Sequence, residues 1–226
     1  MERRRPLAAF LLFAALACGA DEEAVRVGSA SGTAAAASPE AAPLVVFLGD
    51  SLTAGLGLAE AEAFPALVEA ELREEGLAVR VVNAGVSGDT TAGGLARLDW
   101  LLAQGPAVVV VGLGANDGLR GLALEATEEN LREIVRRSRE AGARVVLLGM
   151  RIPPSYGLDY AGRFERLYEE VADDLDVPLV PFLLKGVAAR PALNLPDRIH
   201  PNARGHARIA ETVYPYVEEE LEEALE

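Results

Sequence analysis

At 226 residues, half of them hydrophobic, the chain is long enough to bury one sizeable core and falls in the range of a single domain. A formal net charge of −14 sets its surface against phosphate backbones and argues against nucleic acid as substrate or partner. One cysteine excludes an intrachain disulfide, and two histidines close together in the last segment, His200 and His206, give no convergent ligand set for a metal.

The chain opens on a net-basic stretch, Glu2 to Arg5, followed by an apolar run over 7–17 that ends in small residues at Cys18. This is the layout of an export signal, and the run is short of the roughly 20 residues that a membrane span takes. Ala15-Leu16-Ala17-Cys18 resembles the lipobox of bacterial lipoproteins, whose cysteine is lipidated before the signal is cleaved, although the leucine stands two places before Cys18 rather than the usual three. Ordinary cleavage nearby, with Cys18 removed or left free, is the other outcome. The chain is therefore expected to be exported, as a periplasmic protein or a membrane-anchored lipoprotein of a bacterium. Residues 18–43, rich in Ala, Ser, Gly and Glu, have the composition of a flexible tether, which leaves 44–226 as the folded domain.

Within that domain, apolar or β-branched runs over 44–48, 79–82, 107–113, 144–149 and 178–182 predict buried strands. Helical spacing is expected over 60–75, 93–104, 126–140, 163–174 and 203–225, with Gly76, Gly105 and Gly142 placed as C-terminal caps. Regular alternation of strand and helix implies right-handed crossovers and a parallel sheet covered on both faces. The functional loops of such a sheet lie at the carboxyl ends of its strands, where Ser51, Gly88, Asn116 and Pro153-Pro154 all fall.

Ser51 follows the first strand in Gly49-Asp50-Ser51-Leu52 and is placed to open a helix, so its backbone N–H can face negative charge. Taken alone, Gly-Asp-Ser is equally a turn and a cap. Asp197 and His200 stand three residues apart in one tight loop, where the carboxylate can orient the imidazole that takes the serine proton; a surface turn with a solvated ion pair is the plainer alternative. His206 has no carboxylate nearby in sequence and is expected only as a polar residue of the last helix. Gly88 and Asn116 are candidate donors to an oxyanion, against the readings of a turn glycine and a loop residue bonding its own backbone. No Gly-x-Gly-x-x-Gly follows the first strand and no phosphate-binding Gly-x-x-x-x-Gly-Lys occurs, which sets nucleotide binding aside.

Taken together, GDSLTAGLGL (49–58), NAGVSGDTTAGGLARL (83–98), GLGANDGLRG (112–121), RIPPSYG (151–157) and DRIHPNARGHARIA (197–210) resemble the SGNH, or GDSL, hydrolases, and within them the arylesterase, thioesterase I and lysophospholipase L1 group. The resemblance covers about 44–217. It implies a three-layer α/β/α sandwich around a five-stranded parallel sheet, of flavodoxin-like type. It implies a serine esterase acting on carboxylic esters or thioesters such as aryl esters, acyl-CoA or lysophospholipids, with Ser51 as nucleophile, His200 as base and Asp197 as its partner. The oxyanion donors would be the Ser51 and Gly88 N–H groups and the Asn116 side chain. No cofactor or metal is implied, and the partner is a small acyl ester or thioester, with contact to a membrane only through Cys18 and a monomer favoured. Carbohydrate acetyl-esterases share the same triad. A catalytically idle, tethered binding lipoprotein is the reading from another class, which loss of Ser51 or His200 would mark, and both are present.

Overall fold

The structure, a computed structural model, describes residues 42–226. The expected export signal, Cys18 and the tether up to residue 41 lie outside these residues. Strand β1 (Leu44–Gly49) is buried along its whole length, as expected of LVVFLG with neighbours on both sides and helices over both faces. It lies between β2 (Arg80–Gly85) and β3 (Val108–Gly112), and the sheet continues through β4 (Arg144–Leu148) to the two-residue β5 (Leu179–Val180). The order is β2-β1-β3-β4-β5 and every pairing is parallel.

Seven α-helices are found among the described residues: α1 (Ser51–Ala54), α2 (Phe64–Glu74), α3 (Thr91–Leu102), α4 (Ala115–Leu119), α5 (Leu124–Glu140), α6 (Leu158–Leu175) and α7 (Ala203–Leu225). α2 and α7 pack together over one face of the sheet, while α3, α5 and α6 pack in sequence over the other. In α5 the buried positions Leu124, Thr127, Leu131, Ile134, Val135 and Ser138 recur at helical spacing, which presents one stripe to the sheet and leaves the charged face to solvent. Gly76, Gly105 and Gly142 follow α2, α3 and α5 with φ of 90°, 66° and 87°, the left-handed turn that ends a helix.

The differences from the sequence-based expectation have local causes. The expected helix over 60–75 begins at Phe64 instead, after a single 3₁₀ turn at Glu60–Glu62, because Pro65 has no N–H to give and fits only in a first turn. β5 stops at Val180 because Pro181 cannot donate to the ladder. β2 runs on to Gly85, since an edge strand with one neighbour tolerates the weak strand formers Asn83 and Ala84. Helix α4 has only five residues and too short a pattern to be read in advance.

The carboxyl edge of the sheet is where the register becomes functional. Gly49 stands opposite Gly85 on one side and Gly112 on the other, so three strand ends lie in a row without side chains. A Cβ on Gly49 would come within 1.9 Å of Thr53 Oγ1, and one on Gly85 within 2.2 Å of the Ala54 nitrogen. Helix α1 therefore packs directly onto the strand ends, and Asn83 ties it down by donating from Nδ2 to the Thr53 carbonyl at 2.9 Å.

Candidate active site

Asp50 shapes the turn that presents the nucleophile. As the N-cap of α1 it accepts from the Leu52 N–H at 2.9 Å through Oδ1, while its carbonyl accepts from Ala54. Ser51 is thus the first residue of a helix, with its own N–H unpartnered among the described residues. Its Oγ lies 3.0 Å from His200 Nε2, 149 positions away in the chain.

His200 is held from behind. Asp197 Oδ2 accepts from His200 Nδ1 at 2.7 Å, and Oδ1 accepts from the backbone N–H groups of Ile199 and His200 at 2.9 and 3.0 Å. Those bonds, led by the one from the His200 ring, draw the Asp197 carboxyl down to about 2, so it carries its charge throughout the working range although its side chain is 44% exposed. The loop is closed by Leu195 N–H donating to the His200 carbonyl at 2.7 Å and by a bridge between Asn194 and Pro201. Asn194 donates to the Val187 and Arg190 carbonyls, both at 2.8 Å, and Asn202 caps α7 through Gly205. The serine, imidazole and carboxylate form one continuous chain of hydrogen bonds.

The two other expected donors arrive from the loops after β2 and β3. Gly88 takes φ of 82°, which only glycine adopts freely, and its N–H has no partner among the described residues. Its carbonyl accepts from Arg120 Nη2 at 2.7 Å, which fixes the orientation of the loop. Asn116, in α4, donates from Nδ2 to Asp50 Oδ2 at 3.1 Å and to the Asp89 carbonyl at 2.9 Å. Its amide is aligned at rest but occupied, and a developing oxyanion has to compete for one of those hydrogens.

Two residues carry more than their sequence positions promised. Asp50 is 1% exposed, and burial raises its carboxyl to about 6 against the opposing effects of Leu52, His200 and Asn116. Spacing alone made it half of a turn, whereas it organises both the nucleophile's helix and the Asn116 amide. His206, expected only as a polar residue of the last helix, is 1% exposed. Its Nδ1 accepts from the Phe64 N–H at 3.0 Å and its ring stacks on Phe64, so it joins α7 to the start of α2. Burial lowers it to about 4, and it stays neutral.

Ser51, Asn116 and His200 open into a cleft of about 680 Å³ whose walls include Leu119, Met150, Ile152, Pro153, Tyr156 and Phe182. A polar reacting end and an apolar remainder fit an acyl group better than a sugar. Among the described residues no three His, Cys, Asp or Glu side chains gather as a metal site, and no helix is long and apolar enough to cross a membrane.

Residues 47–208 match the model of the GDSL-like lipase/acylhydrolase family. The chain belongs to that family. Esterase TesA of Pseudomonas aeruginosa is 46% identical over 176 residues, 77% of this chain and 88% of that protein. The thioesterase 1/protease 1/lysophospholipase L1 of Escherichia coli K12 is 41% identical over 172 residues, 76% of this chain and 81% of that one. Among solved structures, the crystal structure of TesA aligns with a TM-score of 0.76 at 44% identity, covering 78% of this chain and 99% of that one. The three-layer sandwich and five-stranded parallel sheet are those of the family, and the chain is an SGNH hydrolase.

Proposed function

We propose that Ser51, His200 and Asp197 hydrolyse esters and thioesters of apolar acids through an acyl-enzyme. The observation that carries this reading is the Ser51 Oγ to His200 Nε2 distance of 3.0 Å at the mouth of an apolar cleft. His200 takes the serine proton as Oγ attacks the carbonyl carbon, and Asp197 stabilises the imidazolium. The oxyanion is met by the Ser51 and Gly88 N–H groups and by Asn116, once the amide releases one of its two acceptors. His200 returns the proton to the departing oxygen or sulfur, and water repeats the sequence on the acyl-enzyme. Aryl esters, acyl-CoA and lysophospholipids are the substrates in view, and no cofactor enters the route. The apolar walls favour this reading over a carbohydrate acetyl-esterase. A fluorophosphonate should add one adduct to the intact protein and none to Ser51→Ala. An adduct that persists in the variant would remove Ser51 from its role.

The same reading extends to location. The basic start, apolar run and Cys18 support export, with lipidation of Cys18 as an anchor for a monomeric enzyme. Metabolic palmitate labelling that disappears in Cys18→Ser supports the anchor. A soluble, unlabelled protein whose N-terminus lies past Cys18 overturns it.

A further inference from the structure

Arg198 stands between Asp197 and His200 with φ of 63°. In that region a Cβ crowds the neighbouring carbonyl, and glycine is the residue that enters it without strain. Nothing the triad does requires a side chain at this position. The Arg198 N–H donates to the Leu195 carbonyl at 2.9 Å, a bond that glycine would make equally well. A side chain kept where the backbone disfavours one is a place to look for function.

Arg198 is one of the residues that line the cleft with Ser51 and His200, and it is exposed. Arg151, on the same cleft, is paired with Glu165 at 2.6 Å. Arg198 has no ion-pair or side-chain hydrogen-bond partner among the described residues, and the Asp197 carboxylate beside it is taken up by His200 and two backbone N–H groups. A chain of net charge −14 thus keeps an unpaired cation at the mouth of its active site.

The chemistry fixes which part of a substrate that cation meets. His200 Nε2 must protonate the departing oxygen, so the leaving alcohol lies on the imidazole side while the acyl chain occupies the apolar walls. Arg198, two positions before His200 and lining the same cleft, is placed to meet that leaving group. Guanidinium is suited to phosphate, which it binds through two parallel hydrogen bonds.

Building on the serine-esterase reading above, we propose that Arg198 selects esters whose departing alcohol carries a phosphate one short spacer from the ester oxygen, as in an acyl glycerol phosphate. The Oγ–acyl bond forms, the ester C–O bond breaks, His200 gives its proton to the alcohol oxygen, and the phosphate leaves unchanged. Acyl-CoA gains little from this contact, because its phosphates lie a full pantetheine arm from the sulfur.

The test uses a matched pair of water-soluble esters, 1-hexanoylglycerol and 1-hexanoylglycerol 3-phosphate, with a micellar lysophospholipid as a separate arm. Arg198→Gly suits the backbone angle, Arg198→Gln keeps the bulk, and Arg198→Lys keeps the charge. The ratio of kcat/KM for the phosphate ester to that for the neutral ester should fall about three- to tenfold in the Gly and Gln variants, chiefly through KM. Lys should retain part of it, and added salt should shrink the wild-type ratio. A fall seen only with micelles places the effect at a lipid surface and overturns recognition of the soluble phosphate. A ratio unchanged by substitution, or an equal loss on both esters, overturns the proposal, the second outcome making Arg198 a scaffold for the triad. Wild-type protein inactive on both esters would instead sink the esterase reading itself.

Discussion

Asp50→Asn should separate stability from activity. Asp50 is buried, and its carboxyl is raised from an ordinary 3.8 to about 6 by the loss of water. Across that window the native state binds more protons than the unfolded chain, so this group's contribution to stability falls as pH rises, by about 3 kcal/mol in all. An asparagine carries no charge to desolvate and caps a helix as well as aspartate does. It has, however, one acceptor where the carboxylate has two. With its oxygen toward the Leu52 N–H, its amide faces the Asn116 amide donor to donor, losing a hydrogen bond worth about 1 kcal/mol and displacing the oxyanion donor. At pH 7.5 the variant should therefore be about 1 to 2 kcal/mol more stable than wild type. Its kcat should be about 10- to 100-fold lower, equivalent to about 1.4 to 2.8 kcal/mol of barrier. Urea unfolding from pH 4 to 8, alongside turnover of a p-nitrophenyl ester, reads both. Toward pH 4, where wild type carries a neutral carboxyl as well, the difference should reverse and leave the variant about 1 kcal/mol less stable, the lost hydrogen bond being all that remains. A variant less stable than wild type at pH 7.5 that keeps full kcat would refute the reasoning.

Asn116→Ala should lower kcat by roughly 100- to 1,000-fold with little change in KM, and a pure KM effect in steady-state kinetics would move Asn116 to substrate binding. Asp197→Asn should cost roughly 1,000- to 10,000-fold in kcat with an unchanged circular dichroism spectrum, because the imidazole loses its orienting acceptor. Arg120→Ala frees the Gly88 peptide and should lower kcat with no change in fluorophosphonate stoichiometry; full activity would show the loop to be fixed without it. His206 titrates near 4 in the folded state and at 6.5 in its ordinary state, so the native protein binds fewer protons than the unfolded chain between them and stability rises with pH there by about 3 kcal/mol. His206→Phe should abolish that rise in pH-dependent unfolding while leaving kcat near wild type, and a retained rise would place its origin elsewhere.

Much of the fold was legible because its signals are local. LVVFLG and VVVVG are continuous apolar runs of strand length, and the stripe through Leu131, Ile134 and Val135 has only one helical solution. The elements missed or misplaced are those where a single residue or a few bonds decide. Pro65 shortens one helix, Pro181 one strand, and α4 exists only because Gly114, with φ of 109°, turns the chain out of β3. Helix α6 starts five residues before the expected 163 because the stripe that signals burial begins only at Phe164; the first turns, with Leu158 80% exposed and Gly162 interrupting the pattern, bury none of their side chains.

The site divides along a different line. Ser51, His200 and Asp197 could be named because nucleophile, base and orienting carboxylate are restricted to few residue types, and the chain offers only two histidines. Spacing also told the two histidines apart, since Asp197 stands three residues before His200 and no carboxylate stands near His206; what it did not show was that His206 is buried. His200 and His206 are six residues apart, and Pro201 and Asn202 end the loop so that one ring meets Ser51 while the other turns inward to Phe64. Asp50 was invisible as a working residue for a related reason. Its Oδ2 meets Asn116, 66 positions away, only because parallel pairing brings Gly49 and Gly112 into register and sets the loops after β1 and β3 side by side. His206 costs stability as pH falls and Asp50 as it rises, so over roughly pH 4 to 6 the two slopes oppose each other. The domain therefore approaches the ionisation of Asp50 with a shallower dependence of stability on pH than either group alone would give.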